Sequence, residues 1–137
     1  MLSLHVNVKW LGKMAFQGTT PEGHKITMDA SPDHGGENQG PRPTELILQA
    51  VAGCSGIDIV DILTKMRLKL TTLEMEVSGE RASESPRYFT KVNVHYRLAG
   101  EGLTPEKVER AISLSLEKYC SVSNSLRSEI TWSYTIN

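Results

Sequence analysis

The two cysteines of this 137-residue chain, Cys54 and Cys120, are the side chains whose type and setting offer the most chemistry. A thiolate can attack an electrophilic atom, take up oxygen, or join a second thiol as a disulfide. The pair lies far apart in sequence, with no C-x-x-C spacing and no paired histidines, so the pattern offers no structural zinc site. In a reducing compartment, a disulfide between them would belong to a transient or catalytic cycle rather than to a structural staple. Cys54 sits near the middle of GPRPTELILQAVAGCSGIDIVDILTKMRL, Gly40 to Leu68. It lines up at helical spacing with Asp58, Asp61 and Lys65, opposite Ile59, Val60, Ile62, Leu63 and Met66. A thiol on such a polar border is reachable and ionisable. Free cysteine is equally a small hydrophobe of protein cores, and both readings stand open at this point.

The element that must carry Cys54 is a helix over residues 43–68. Pro43 suits the first turn, where its missing N–H costs nothing, and from Leu46 to Gly53 the only polar side chain is Gln49. A helix so apolar belongs in a core. Gly53 and Gly56 each weaken it by about 1 kcal/mol relative to Ala, which predicts the close approach of another backbone. Cys120 follows a second helix with a clear start: Thr104 as N-cap, Pro105 in first position, Glu106 at the positive end, and Leu103 with Val108 as a hydrophobic staple. Val108, Ala111, Ile112, Ser115 and Tyr119 continue one face towards Cys120. The run CSVSNSL then reads as a new short turn or helix, whose N-terminal dipole would lower the Cys120 pKa below the free value of about 8.5.

Strands complete the frame. Residues 1–11 alternate Leu2, Leu4, Val6, Val8 and Trp10 with polar side chains, and 14–16 with 25–28 reads as a hairpin around the turn-rich Gln17 to Gly23. Ser31 to Arg42 is a long polar loop, of the kind that is functional or mobile. Residues 73–82 and 90–98 alternate as antiparallel neighbours with solvated outer faces, and Ile130, Trp132, Tyr134 and Ile136 mark a last strand. His34 in the loop has no partner, and His5, His24 and His95 share no spacing; none is assigned chemistry. The order is α+β, in one domain over 1–137, with residues 1–42 as N-terminal strands and loop and 73–137 as the remainder. A central helix apolar on nearly every side exceeds what one small sheet covers, so a homodimer is expected; the alternative is a monomer with a second sheet across the helix. Net charge is −1, which gives no electrostatic case for nucleic acid or an anionic membrane. The first residues lack the apolar core of a signal peptide, no apolar run is expected to reach a bilayer-spanning length, and the expected address is the cytoplasm.

The segments GPRPTEL, GCSGIDIVDIL and EKYCSV resemble the OsmC/Ohr family of osmotically induced and organic hydroperoxide resistance proteins, and in particular its YhfA-like branch. The resemblance implies an intertwined homodimer, with curved antiparallel sheets around buried central helices. It implies thiol-dependent reduction of peroxides, with Cys54 attacking and Cys120 resolving, and restoration by a dithiol of lipoyl type without metal, flavin or other cofactor. The peroxidase branch carries Pro-Glu-x-Leu before the cysteine helix, its Glu holding an Arg from an N-terminal loop against the thiolate. Here Thr44 stands at that position and Glu45 one place later, about 100° round the helix. No arginine precedes Arg42, and the N-terminal loop offers Lys13. An Arg42 to Glu45 pair is therefore the expected substitute, and the expected site is Cys54, Cys120, Arg42 and Glu45. Asp58, one turn beyond Cys54, opposes a second negative charge nearby. Two other functions suit the same scaffold: a small-molecule-binding or redox-sensing protein with an apolar crevice, and a structural stress-associated dimer.

Overall fold

The computed structural model describes residues 2–137, and the chain divides into two compact units, Met1–Ile47 and Leu48–Asn137. In the first, β1 (Asn7–Gly12), β2 (Ala15–Thr19) and β3 (Lys25–Met28) form an antiparallel sheet in that order. The expected alternation from residue 1 becomes strand only at Asn7, and Met1 lies outside the described residues. Asn7 pairs with Thr19, the last residue of β2, and the Thr20 to Pro21 turn beyond it offers residues 2–6 nothing to pair with. β2 runs further than expected, through Gln17 and Gly18, because these residues pair with strands on both sides. Register brings Val8, Gly18 and Ile26 into one row and Trp10, Phe16 and Met28 into the next. The resulting apolar face is open, Trp10 being 64% exposed.

The loop from Ser31 to Arg42 is organised around Asp29, which is only 2% exposed. Its carboxylate accepts N–H bonds from Ala30 at 2.8 Å, Glu37 at 3.1 Å and Gln39 at 3.2 Å. Burial works against its charge, but the three amides and the positive charge of Arg42 outweigh this and hold its pKa below the ordinary carboxylate value. Gly36 and Gly40 let the loop fold back on Ala30 and Thr27, where a Cβ would strike backbone. His34 bonds Ser31 Oγ through Nδ1 at 2.8 Å.

Helix α1 (Pro43–Lys65) ends three residues before the expected Leu68. Arg67 takes a left-handed φ of 63°, Leu68 N–H donates to Leu63 O, and Arg67 N–H donates to Thr64 O, which closes the helix as a Schellman cap. In the second unit β4 (Lys69–Arg81), β5 (Phe89–Glu101) and β6 (Glu129–Ile136) form a sheet in that order. β4 and β5 are antiparallel, but β6 runs parallel to β5, which corrects the expectation of purely antiparallel sheets. The cause is α2 (Pro105–Leu114), which carries the chain across between them, as a parallel pair requires. Its start is as the sequence indicates, with Thr104 Oγ1 accepting from Lys107 N–H at 3.3 Å.

Val92, Val94, Tyr96 and Leu98 of the central strand β5 are fully buried against Val51, Ile59 and Leu63 of α1 and Val108, Ala111 and Ile112 of α2. On the outer face Asn93 bonds Thr131, His95 bonds Ser133, and Arg97 reaches Glu76. Burial of α1 is one-sided within the chain: Val51, Ser55, Gly56, Ile59 and Leu63 are enclosed, whereas Ile57 is 73% and Val60 45% exposed. With 23 residues and a mean hydropathy of 1.8 over its most apolar stretch, α1 is long and apolar enough to cross a bilayer, contrary to the sequence expectation. Its enclosed face packs on the β5 core.

Two measurements check this frame. Removing the α2 cap with Thr104→Ala costs about 1 kcal/mol, read by denaturant unfolding. The Asp29 contribution to the loop is complete above the ordinary carboxylate pKa and is lost as pH falls through the lower, folded value. Asp29→Asn keeps one acceptor oxygen, so amide exchange at Glu37 or Gln39 is expected to accelerate and to lose this acid dependence; unchanged exchange would refute the role.

Candidate thiol site

α1 carries Cys54, half-buried, while Cys120 is fully buried. The segment joining α2 to Cys120 is a π turn, Ser115–Tyr119, in which Cys120 N–H donates to Ser115 O at 2.6 Å, five residues back. Such wide turns recur at functional positions. The extra residue rotates the end of the turn relative to regular winding, so Tyr119 does not continue the buried face as expected but is 51% exposed, and Cys120 turns inward in its place.

A short 3-10 helix, Ser123–Ser125, lies just beyond Cys120. Ser123 N–H donates to Cys120 Sγ at 3.4 Å, Ser123 Oγ to Cys120 O at 3.3 Å, and Asn124 Nδ2 to Cys120 O at 2.8 Å. The expected lowering of the Cys120 pKa is nevertheless overturned. Burial pushes the thiol up, the Ser123 donors offset only part of this, and the adjacent Cys54 side chain raises it further. Both cysteines are free, and despite their distance along the chain the Cys54 side chain lies near enough to act on the Cys120 thiol.

Around them runs a set of polar side chains that sequence reasoning missed. Tyr96 Oη lies 2.6 Å from Ser55 Oγ, Ser55 Oγ 3.0 Å from Ser115 Oγ, and Ser115 Oγ 2.9 Å from Asp58 Oδ2. A carboxylate only accepts, so Ser115 donates to Asp58, Ser55 to Ser115, and Tyr96 to Ser55. Burial, opposed by the Ser55 contact and assisted by the nearby charges of Cys120 and Asp58, pushes the Tyr96 pKa up to about 12, which keeps it a donor. A signal was present in the sequence. Ser55, Tyr96 and Ser115 each interrupt an apolar stripe at an inward position, and buried hydroxyls need partners. Asp58 is half-buried on the wall of a groove of about 590 Å³, which Lys65, Arg110 and Tyr119 also line.

Glu45 Oε1 accepts from the backbone N–H of Arg42 at 2.8 Å, the return half of a capping box. The Arg42 guanidinium donates to Gly40 O at 3.0 Å and Asn38 Oδ1 at 3.1 Å, not to Glu45. The expected side-chain pair is thus replaced by a cap and a loop contact. The two glycines differ from expectation as well: a Cβ on Gly56 would meet the Met75 side chain at 3.1 Å rather than backbone, and one on Gly53 would meet nothing within 4 Å. Among the described residues no cluster of three His, Cys, Asp or Glu side chains could hold a metal.

The model of the OsmC-like protein family matches residues 36–135. Protein YhfA of Escherichia coli K12 is 39% identical over 135 residues, covering 97% of this chain and 98% of that one. A hypothetical protein from Aquifex aeolicus VF5 superposes with a TM-score of 0.88 at 26% identity, over 100% of this chain and 98% of that chain. The organic hydroperoxide resistance protein OhrB of Bacillus subtilis shares the fold at 20% identity, with a TM-score of 0.61 over 98% of each chain.

The different enclosure of the two thiols predicts their order of modification. Under native conditions at neutral pH iodoacetamide labels Cys54 first, and Cys120 reacts only slowly until denaturant is added, as mass spectrometry of peptides will read; equal native rates would contradict the buried placement.

Proposed function

The chain belongs to the OsmC-like family, and from that premise we propose that it reduces organic or hydrogen peroxides through Cys54 and Cys120 as part of oxidative or osmotic stress defence. The observation that carries this reading is two free thiols of unequal access, one half-buried and one fully buried, the first near enough to act on the second. The half-buried sulfur is the one a substrate can reach, so Cys54 attacks. Its thiolate takes the terminal oxygen of a hydroperoxide, the O–O bond breaks, and the departing alkoxide gains a proton to leave as an alcohol. Cys54 is then a sulfenic acid. The Cys120 sulfur displaces its oxygen, which departs with the Cys120 proton as water, and a disulfide forms. A dithiol, with a lipoyl-type donor as the candidate, returns the pair to two thiols and is itself oxidised. The net change is one hydroperoxide and one dithiol to an alcohol, water and a disulfide. No metal or organic cofactor takes part.

Cys120 is suited to the second role by its surroundings. Its proton is held at neutral pH, so it does not compete for peroxide, and it reacts once the neighbouring sulfur has become electrophilic. Glu45 fixes the backbone at the start of α1 by accepting the Arg42 N–H. The open apolar side of α1, with Ile57 and Val60, and the open face of the first sheet support a homodimer that covers both. A cytoplasmic address suits a cycle that needs a reducing dithiol. Neither nucleic acid nor a membrane is assigned as a partner.

One equivalent of cumene hydroperoxide is expected to consume two thiols per chain and to yield a Cys54 to Cys120 disulfide, read by thiol titration and peptide mass. Cys54→Ser abolishes turnover, whereas Cys120→Ser leaves a sulfenate that dimedone traps. Retention of both thiols, or activity in Cys54→Ser, would refute the mechanism and favour a binding protein on this scaffold. For the assembly, Ile57→Glu is expected to convert a dimer to monomer in sedimentation.

A further inference from the structure

Tyr96, Ser55, Ser115 and Asp58 exchange no electrons in the peroxide cycle, yet three of them place hydroxyls in a core where apolar side chains would need no partners. Their connections to the sulfurs are short. Ser55 directly follows Cys54 in α1, and Ser115 O accepts the backbone N–H of Cys120 at 2.6 Å. The hydroxyl bridge from Ser55 to Ser115 therefore joins the two thiol-bearing segments next to the thiols themselves. Tyr96 on the central strand holds one end, and Asp58, on the wall of an open groove, holds the other. We propose that Ser55 and Ser115, held between Tyr96 and Asp58, are positioning residues that fix the separation of Cys54 and Cys120 and so set how readily the pair closes. This inference rests on the proposed thiol cycle.

Two physical features favour positioning over simple filling of the core. Hydroxyl-to-oxygen hydrogen bonds fall within about 2.5–3.0 Å, whereas apolar contacts tolerate larger shifts, so a bonded bridge defines a distance more narrowly than packing does. The bridge also ends on a carboxylate, which only accepts, so the Ser115 hydroxyl has a fixed charged partner at that end. A disulfide closes only across a narrow range of Cα separations, and a small widening of the gap between α1 and the π turn is felt directly at the sulfurs.

The full chain is to be equilibrated at fixed ratios of reduced to oxidised dithiothreitol, with the disulfide fraction read by mass after alkylation. Protein dithiol and cyclic oxidised dithiothreitol become protein disulfide and reduced dithiothreitol, so the exchange balances without a further oxidant. Asp58→Ala is expected to lower the equilibrium constant for closure about tenfold, the loss of one bond to a charged group, and Ser115→Ala, which also loses the contact with Ser55, at least as much. Asp58→Asn, which still offers Ser115 a carbonyl oxygen, stays within about threefold of the parent. Thr104→Ala, which loses a helix cap in the same unit away from the bridge, leaves the constant unchanged and separates positioning from general stability. If Ser115→Ala does not fold, Asp58→Ala decides. Parental constants in the Ala variants, or an equal fall in Thr104→Ala, overturn the proposal. A parent chain that forms no Cys54 to Cys120 disulfide at any ratio instead overturns the thiol cycle, and this inference with it.

Discussion

The second unit is built around the requirement that a polar chain of side chains be accommodated inside an apolar core. Tyr96 stands at the middle of β5 between Val94 and Leu98, and its hydroxyl has no access to water, so it must find an acceptor on the helix that covers it. Ser55 supplies that acceptor and then needs one of its own, which Ser115 provides from the other side. The sequence of obligations ends only at Asp58, which is half-buried and so partly hydrated. Strand, central helix and π turn are thereby fixed to one another at a single locus, and the two sulfurs are attached immediately beside it.

Local sequence signals account for most of the elements. Alternation in β5, the cap and staple of α2, and the apolar start of α1 are each decided within a few residues, and the structure has them where those patterns place them. Features that depend on distant parts of the chain were not readable. Nothing in Ile130 to Ile136 indicates that β6 pairs in parallel with β5, because direction is set by how α2 packs rather than by strand composition. The order of the loop about Asp29 was not readable for a related reason: a stretch rich in Gly, Pro and polar residues reads as functional or mobile, and only the fold shows a buried carboxylate gathering its amides.

The candidate site divides along the same line. Cys54 and Cys120 stood out in the sequence as candidate thiols, but the expected lowering of the Cys120 pKa is reversed. A helix N-terminus was read from CSVSNSL correctly, and its effect on the thiol proved smaller than that of burial, which no short segment encodes. Arg42 and Glu45 were expected to pair as a substitute for the Glu and Arg that the family resemblance implies, whereas backbone capping at the first turn of α1 proved the stronger local demand on the Glu45 carboxylate.

The π turn at Ser115–Tyr119 has a consequence for how this chain can vary. Its hydrogen bond from Cys120 to Ser115 spans one residue more than an ordinary helical turn, so the count between those two positions is itself a structural element. Deleting any one residue from the turn would restore regular winding and swing the next side chain about 100° round the axis, directing the sulfur away from its partner even with every named functional group retained. The exposed residues 117 to 119 can therefore change identity with some freedom, but the number of residues in the turn cannot change.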